Sequence, residues 1–172
     1  MIGYKSLLKL LDETNIDYSL FNHSPLFTVN DSMKFRGNIE GAHTKNLFLK
    51  DKKKNFYLFS CLESTKIDLK FLRKRMNLNN LSFASEKYLR ELLNVKPGAV
   101  SPFGLLNDTE KKINFYLDLK LDSFNSFNFH PLDNTATINI KRGDFYKLLK
   151  INNIIVNLFN FETYATYDIK QP

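Results

Sequence analysis

Between residues 41 and 49 the chain reads Gly41-Ala42-His43-Thr44-Lys45-Asn46-Leu47-Phe48-Leu49. A glycine that can form a turn stands before an apolar run typical of a strand, with a lysine and an amide between them. A second apolar run, over residues 55–60, follows a lysine-rich connection. The two runs predict a β-hairpin with strands at 46–49 and 55–60 and a polar tip, which places Lys45 near a strand end.

Short helices and strands are predicted on both sides of this hairpin. Apolar spacing and capping residues predict helices over residues 3–14, 28–36, 67–76, 85–93 and 144–150. In the second of these, Thr28 or Asn30 is the predicted N-cap and Gly37 the end, and Ser85 is the predicted N-cap of the fourth. Strands are predicted at 16–21, 81–84, 113–117, 127–129 and 135–140. Residues 95–104 are predicted to be irregular, because they contain two prolines and two glycines.

Length and composition predict one compact domain. The chain has 172 residues, 43% of them hydrophobic, and neither a repeat nor a linker interrupts it. Cys61 is the only cysteine, which excludes an intrachain disulfide and a cysteine-based zinc site, and its apolar neighbours predict a buried thiol. No segment approaches the ~20 apolar residues that span a bilayer, and no signal sequence is recognisable, so we expect a cytoplasmic protein with no membrane contact.

The charge of the chain favours contact with a polyanion. The formal net charge is +7 and the pI is about 9.4, and clustered cations are rewarded by phosphate neutralisation and counterion release. One cluster, at the predicted hairpin tip, contains Lys50, Lys52, Lys53 and Lys54. A second, in and before the predicted helix 67–76, contains Lys66, Lys70, Arg73, Lys74 and Arg75. Each cluster taken alone is more typical of a solvated face than of a binding surface.

The absence of several known sequence motifs excludes some classes of enzyme chemistry. The chain has no glycine-rich nucleotide loop and no G-x-S-x-G elbow, and its three histidines form no helical pair that would support a metal site. Lys45, Asn46 and His130 remain, together with backbone amides near residues 103–105. This set suits binding and polarising an ester or carbonyl group. The alternatives are a surface ammonium for Lys45 and a histidine satisfied in a turn before Pro131.

Several motifs, in order along the chain, resemble those of one known family. They are His23-Ser24-Pro25 with Phe27-Thr28, the stretch 41–49 quoted above, Leu81-Ser82-Phe83-Ala84, Pro97-Gly98-Ala99-Val100-Ser101-Pro102-Phe103-Gly104-Leu105-Leu106-Asn107-Asp108, and Phe129-His130-Pro131 with Asn134-Thr135-Ala136-Thr137. Over residues 16–150 the chain resembles the YbaK/prolyl-tRNA synthetase-associated editing family. Within that family it is most similar to the freestanding alanyl-tRNA(Pro) deacylases.

The resemblance implies a fold and an activity. The fold would be α/β, a single editing domain over residues 1–172 with a mixed, mainly antiparallel sheet surrounded by helices. The activity would be hydrolysis of alanine from mischarged tRNA(Pro), without a metal or organic cofactor and with help from the 2′-hydroxyl of the terminal adenosine. The partner would be the acceptor stem of tRNA(Pro), with a transient contact to prolyl-tRNA synthetase as a further expectation.

The resemblance also implies roles for particular residues. Lys45 would hold the aminoacyl end, with Asn46 as its polar neighbour and Gly104 as the third catalytic residue. The side of the site that binds the amino acid would comprise His23, Thr44, Ser101, Pro102, Phe103, Leu105 and His130. The tRNA-binding residues would be Lys50, Lys52, Lys53, Lys54, Arg73 and Arg75.

Other interpretations stay open at this point. The enzyme could instead clear cysteinyl-tRNA(Pro), or act on several small amino acids. A tRNA-binding module without activity and a regulatory partner of a synthetase are the alternatives from other classes. The family pattern matches residues 30–40 only loosely, and it leaves the role of the apolar tail after residue 151 open between the sheet and a subunit contact.

Overall fold

One mixed sheet organises the residues described by the computed structural model, which are 1–25 and 39–168. The strands within these residues are β1 (Tyr18–Asn22), β2 (Ala42–Lys50), β3 (Phe56–Leu62), β4 (Ser82–Phe83), β5 (Ile113–Asp118), β6 (Ser126–Phe129), β7 (Ala136–Lys141), β8 (Asn157–Asn160) and β9 (Ala165–Asp168). Their order is β1-β7-β6-β2-β3-β5-β8-β9, and β4 pairs with β2. The predicted helix at 28–36, with its caps, lies outside the described residues.

Antiparallel pairing dominates the sheet, as predicted. β1 with β7, β6 with β7, β2 with β3, β2 with β4, and β8 with β9 are antiparallel. The parallel pairs are β2 with β6, β3 with β5 and β5 with β8. The chain therefore has the mixed α/β architecture that the resemblance implied.

Helices cover both faces of the sheet. They are α1 (Tyr4–Glu13), α2 (Leu69–Arg75), α3 (Glu86–Tyr88), which continues as a π-helical segment (Leu89–Leu93), α4 (Leu119–Asp122) and α5 (Arg142–Ile151), together with a 3-10 helix (Pro102–Asn107). The helices predicted at 3–14, 67–76, 85–93 and 144–150 are confirmed with shifted ends. Ser85 does occupy the N-cap position of α3, but its side chain makes no capping hydrogen bond. No described helix is long and apolar enough to cross a membrane.

Strand alternation divides the apolar side chains between two cores. On β3, Phe56 and Leu58 point into the larger core, whereas Tyr57 and Phe59 point into the smaller one on the opposite face. Residues of α1, the π-helical segment, the 3-10 helix and α5 complete the larger core. The smaller core is completed by Leu72 of α2 and by residues near the C-terminus. Each face of the sheet is therefore closed by its own helices.

The predicted β2–β3 hairpin is confirmed, but its first strand is longer than predicted. β2 begins at Ala42 and pairs with β3 in a regular register that sets Lys45 opposite Cys61. Lys45 is thus the fourth residue of the strand, not a residue at its end. The prediction was wrong on this point because polar residues at 43–46 interrupt the apolar pattern, while pairing with two neighbouring strands keeps the backbone extended.

One further segment differs from the sequence-based expectation, and one open alternative is answered by the sheet pairing. Part of the irregular segment forms a 3-10 helix from Pro102, where the fixed φ of proline suits a first helical position. The apolar tail enters the sheet, since β8 pairs with β5 and β9 then pairs with β8.

Candidate active site

Lys45 and Asn46 point to opposite faces of the sheet, because successive side chains of a strand alternate. Leu47 and Leu49 of β2 pack in the smaller core, so Lys45 leaves the same face as they do. Asn46 lies on the face of Phe48 and the larger core, where its Oδ1 accepts a hydrogen bond of 2.5 Å from Ser60 Oγ. The two predicted catalytic neighbours therefore cannot approach a ligand from one side through their side chains.

The ammonium group of Lys45 is held by the backbone. Its Nζ donates a hydrogen bond to the carbonyl oxygen of Thr65, in the loop after β3. Thr65 Oγ1 in turn donates to Asp118 Oδ2 at 3.2 Å. Asp118 is only 1% exposed. Burial raises the pKa of its carboxyl group, although the hydrogen bonds that it accepts, including the one from Thr65, act in the opposite direction. Sequence reasoning had overlooked both Thr65 and Asp118.

Cys61, opposite Lys45 on β3, has a fully buried side chain, as predicted. Its Sγ donates to the Lys45 carbonyl oxygen at 3.7 Å. Burial raises the pKa of the thiol to about 12, although the positive charge of Lys45 acts in the opposite direction. At neutral pH the group is a protonated thiol, which is a poor nucleophile.

His23 and His130 form a second polar group with Thr137. Their ring centroids are 5.8 Å apart, and His23 Nε2 lies 2.9 Å from Thr137 Oγ1. His130 Nδ1 lies 2.8 Å from the carbonyl oxygen of Ala136, so this nitrogen carries the proton and donates. Burial lowers the pKa of His130 below its usual value. The imidazole is therefore neutral at pH 7, with a lone pair on Nε2.

β2, which carries Lys45, and β6, which precedes His130, are paired over a short stretch only. These strands pair in parallel only at Ala42 with Phe127 and at His43 with Asn128. Just beyond, Thr44 Oγ1 donates to the Asn128 carbonyl oxygen at 2.7 Å. Lys45 on β2 and His130 after β6 each lie two residues beyond the pair His43–Asn128. Strand alternation puts both on the face opposite the larger core. A cationic side chain and a neutral imidazole thus lie on the same face of the sheet, beyond the short β2–β6 pairing.

A small amide network fixes the entrance to β2. The Glu40 carbonyl oxygen accepts hydrogen bonds from Asn128 Nδ2 at 2.9 Å and from Asn139 Nδ2 at 2.8 Å. The next residue, Gly41, has a φ of +88°, which a side chain would strain. Sequence reasoning had also passed over both asparagines. The available signal was an amide between two buried phenylalanines, Phe127 and Phe129, in a predicted strand.

The segment 101–105, which was predicted to contribute to the substrate site, lies against the larger core. Phe103 packs edge-to-face on Phe129, with ring centroids 5.9 Å apart. A Cβ on Gly104 would lie 3.0 Å from Leu93 side-chain atoms, so this glycine permits close packing. Ser101, Pro102, Phe103 and Leu105 are all buried. Phe103 and Leu105 belong to the larger core, on the face of the sheet opposite Lys45.

Comparison with known proteins places the chain in a family. Residues 23–148 match the aminoacyl-tRNA editing domain. The chain belongs to the aminoacyl-tRNA editing domain family. It is 38% identical over 155 residues to the prolyl-tRNA editing protein ProX of Acetoanaerobium sticklandii, covering 88% of this chain and 93% of that protein. It is 36% identical over 151 residues to the prolyl-tRNA synthetase associated domain-containing protein 1 of Xenopus laevis, covering 85% and 89%.

Solved structures share the fold. A crystal structure described as a candidate trans-editing enzyme for prolyl-tRNA synthetase superposes with a TM-score of 0.65 and 19% identity, covering 91% of this chain and 96% of that one. This likeness concerns the architecture alone. In residues 1–25 and 39–168 of this editing domain, no group of three or more His, Cys, Asp or Glu side chains is placed to hold a metal ion.

The basic residues of the editing domain form two surfaces. At the hairpin tip, Asp51 is buried and accepts hydrogen bonds from the Asn55 backbone at 2.8 Å and from its side chain at 2.7 Å. Lys52, Lys53 and Lys54 are exposed around it, whereas Lys50 is half-buried at the end of β2. The tip is therefore a rigid turn that presents three lysines.

The second basic surface is α2, which begins four residues after Thr65. Arg73 is exposed on it, together with Lys70 and Lys74. Arg75 is engaged within the protein, because one guanidinium nitrogen donates to the Thr163 carbonyl oxygen at 3.2 Å and the group stacks over the Phe71 ring at 5.6 Å. Of the two arginines predicted to bind tRNA, Arg73 has the freer side chain.

Proposed function

We propose that this editing domain hydrolyses the ester bond of tRNA(Pro) mischarged with alanine. The observation that carries the proposal is the fixed ammonium group of Lys45, which is held by the Thr65 carbonyl oxygen while the side chain stays partly exposed. Family membership and the name of the ProX relative support the editing of tRNA(Pro), and the choice of alanine is the finer part of the proposal. An aminoacyl ester is already activated, so orientation and charge stabilisation are enough to hydrolyse it.

The reaction needs no side-chain nucleophile. Cys61 is buried and protonated, and Ser101 is fully buried. Water therefore adds its oxygen to the ester carbonyl carbon, and the carbonyl oxygen becomes an oxyanion that the Lys45 ammonium stabilises. The 2′-hydroxyl of the terminal adenosine positions this water. Collapse breaks the bond to the 3′-oxygen, which takes up the proton released by water and leaves as the free hydroxyl of tRNA.

His130 suits the amino-acid side of the site. Because its Nδ1 proton is used by the Ala136 carbonyl oxygen and no residue in the described part of the chain is bonded to Nε2, Nε2 can accept a hydrogen bond from the α-ammonium group of alanine. Selectivity then follows from size, since a site shaped for a methyl group excludes the proline ring. Steric exclusion is more effective than recognition of one methyl group, which is worth about 1–3 kcal/mol.

The tRNA would lie across the two basic surfaces. Lys50 stands five residues along β2 from Lys45, and at about 3.4 Å per residue the tip begins about 17 Å from the ammonium-bearing residue. This separation suits phosphates of the acceptor stem when the ester occupies the site. A-form RNA is bound mainly through shape and backbone, which fits a tip of lysines and the α2 surface with Arg73.

The tip can be tested by changing Lys52, Lys53 and Lys54 together to alanine. We expect weaker tRNA binding and a smaller salt dependence of binding, because fewer phosphates are neutralised. The matched control changes the exposed Lys9, Lys87 and Lys150 on α1, α3 and α5 to alanine, which removes the same charge elsewhere. Filter binding of tRNA(Pro) at several salt concentrations measures the effect. Equal losses in both triple variants would contradict a specific role for the tip.

The proposed function itself is tested with purified protein and three substrates. Alanyl-, cysteinyl- and prolyl-tRNA(Pro) are incubated separately at equal low concentration, and the remaining ester is measured over time. We expect fast loss of alanine and survival of proline. Hydrolysis of cysteinyl-tRNA(Pro) in place of alanyl-tRNA(Pro) would indicate the alternative specificity, for cysteine. Tight binding of tRNA with no loss of any amino acid would indicate a binding module instead.

A further inference from the structure

A lysine side chain is long and flexible, so a lysine that acts on a reacting group has to be positioned. Lys45 is positioned by one hydrogen bond from Nζ to the Thr65 carbonyl oxygen. Within residues 1–25 and 39–168 this is the only hydrogen bond of the ammonium group, so two of its three donors remain for a ligand. The location of the Thr65 carbonyl therefore determines the direction of the other two.

Thr65 is itself held at two points. Its backbone nitrogen donates to the Leu62 carbonyl oxygen at 3.0 Å, which closes a turn directly after β3. Its Oγ1 donates to Asp118 Oδ2 at 3.2 Å. The second bond joins the loop to the end of β5, a strand that pairs in parallel with β3. The carbonyl that holds Lys45 is thus fixed from both its backbone and its side chain.

Asp118 divides its two carboxylate oxygens between two tasks. Oδ1 accepts from the Lys120 backbone nitrogen at 3.1 Å and caps α4, while Oδ2 accepts from Thr65. Capping alone needs only the first oxygen. Strand alternation sets Asp118 on the face of Tyr116 and Lys45 on the face of Leu47, and both of these residues pack against the smaller core that contains Cys61, so the three side chains lie on one side of the sheet.

We propose that Thr65 and Asp118 are positioning residues for the editing reaction, which orient the Lys45 ammonium through the chain Asp118 Oδ2, Thr65 Oγ1 and the Thr65 carbonyl oxygen. This inference rests on the proposed function of Lys45. Neither residue touches the substrate. Their effect is on the geometry of the oxyanion contact, where small displacements are costly to the rate.

The decisive variant is Thr65→Val, which removes the hydroxyl group and keeps the shape and the carbonyl. We expect kcat for alanyl-tRNA(Pro) to fall about tenfold with KM changed less than twofold, because orientation acts on the transition state. Thr65→Ser keeps the hydroxyl and should retain most of the activity. The matched control is Thr14→Val, which removes a hydroxyl that donates to the Leu10 carbonyl oxygen at 2.7 Å, at the end of α1.

A second readout follows Lys45 directly and does not need the reaction. In protein with 13C-labelled lysine, the two Hε protons of an immobilised Lys45 should be inequivalent, and the signal is assigned by its loss in Lys45→Arg. We expect the two signals to merge in Thr65→Val and to stay separate in Thr65→Ser and Thr14→Val. Should Thr65→Val not fold, Thr65→Ala serves instead, because it also removes the hydroxyl that donates to Asp118 and keeps the carbonyl.

The outcomes separate this inference from the proposed function. Unchanged Lys45 signals in Thr65→Val, or kcat equal to that of Thr14→Val, would overturn the positioning role even if the wild type is an active deacylase. An inactive wild type would overturn the proposed function, whereas merged Lys45 signals would still show that Thr65 holds the lysine. Merged signals together with a tenfold loss of kcat support both.

Discussion

Lys45→Met is expected to lower the rate of alanyl-tRNA(Pro) hydrolysis by about 10²- to 10³-fold, the usual cost of removing one oxyanion donor. Methionine keeps the length of the side chain and loses the ammonium group. Lys45→Ala should lose as much. Lys45→Arg keeps the charge, but its planar group cannot reproduce the contact with the Thr65 carbonyl oxygen, so we expect it to recover only part of the rate.

The fold should tolerate these changes. Lys45 is half-buried and makes one hydrogen bond to a backbone carbonyl, so its loss should cost about 1 kcal/mol of unfolding free energy. Lys147 offers a matched control, because its Nζ also donates to a backbone carbonyl, that of Asn15, at 2.8 Å. Single-turnover rates and thermal unfolding should be compared for Lys45→Met and Lys147→Met. Wild-type turnover in Lys45→Met would remove the central residue of the proposed mechanism.

The sequence predicts the elements around Lys45 better than it predicts the contacts of Lys45. Two apolar runs with a lysine-rich connection identify the hairpin, because period-two alternation and a polar tip are local features. Starting the strand at residue 46 concealed that Lys45 lies within it together with Asn46. Once β2 is seen to begin at Ala42, alternation sends their side chains to opposite faces.

The contacts missed by sequence reasoning join residues that are distant along the chain. Thr65 and Asp118 meet because β3 pairs in parallel with β5, and a parallel partner cannot be read from either strand alone. Asn128 and Asn139 meet across the β6–β7 pair, and together they hold the carbonyl of Glu40. The family resemblance identified residues expected to take part in the reaction. The residues that support them were found only from the strand pairing in the structure.

Gly41→Ala should lower the unfolding free energy by about 2–4 kcal/mol, for two additive reasons. First, the φ of +88° is unfavourable for a residue with a Cβ and costs about 1–2 kcal/mol. Second, the new Cβ would lie 2.3 Å from Ser126 Oγ and 2.8 Å from the Ser126 carbonyl oxygen. The hydroxyl can rotate away, but the carbonyl belongs to the β6 backbone, so the β2–β6 contact has to open.

Opening that contact should also lower activity, since the parallel pairs at Ala42 and His43 set the position of Lys45 relative to His130. Gly143→Ala is the matched control: Gly143 lies in α5 with nothing within 4 Å of an added Cβ, and alanine there should stabilise the protein by about 0.5–1 kcal/mol. Denaturant unfolding and alanyl-tRNA(Pro) hydrolysis measure both effects.

Adding Ser126→Gly to Gly41→Ala should restore only part of the stability, because it removes the hydroxyl contact and leaves the carbonyl contact. Full recovery would show that the hydroxyl alone caused the loss, and equal stability of Gly41→Ala and Gly143→Ala would contradict the strained turn.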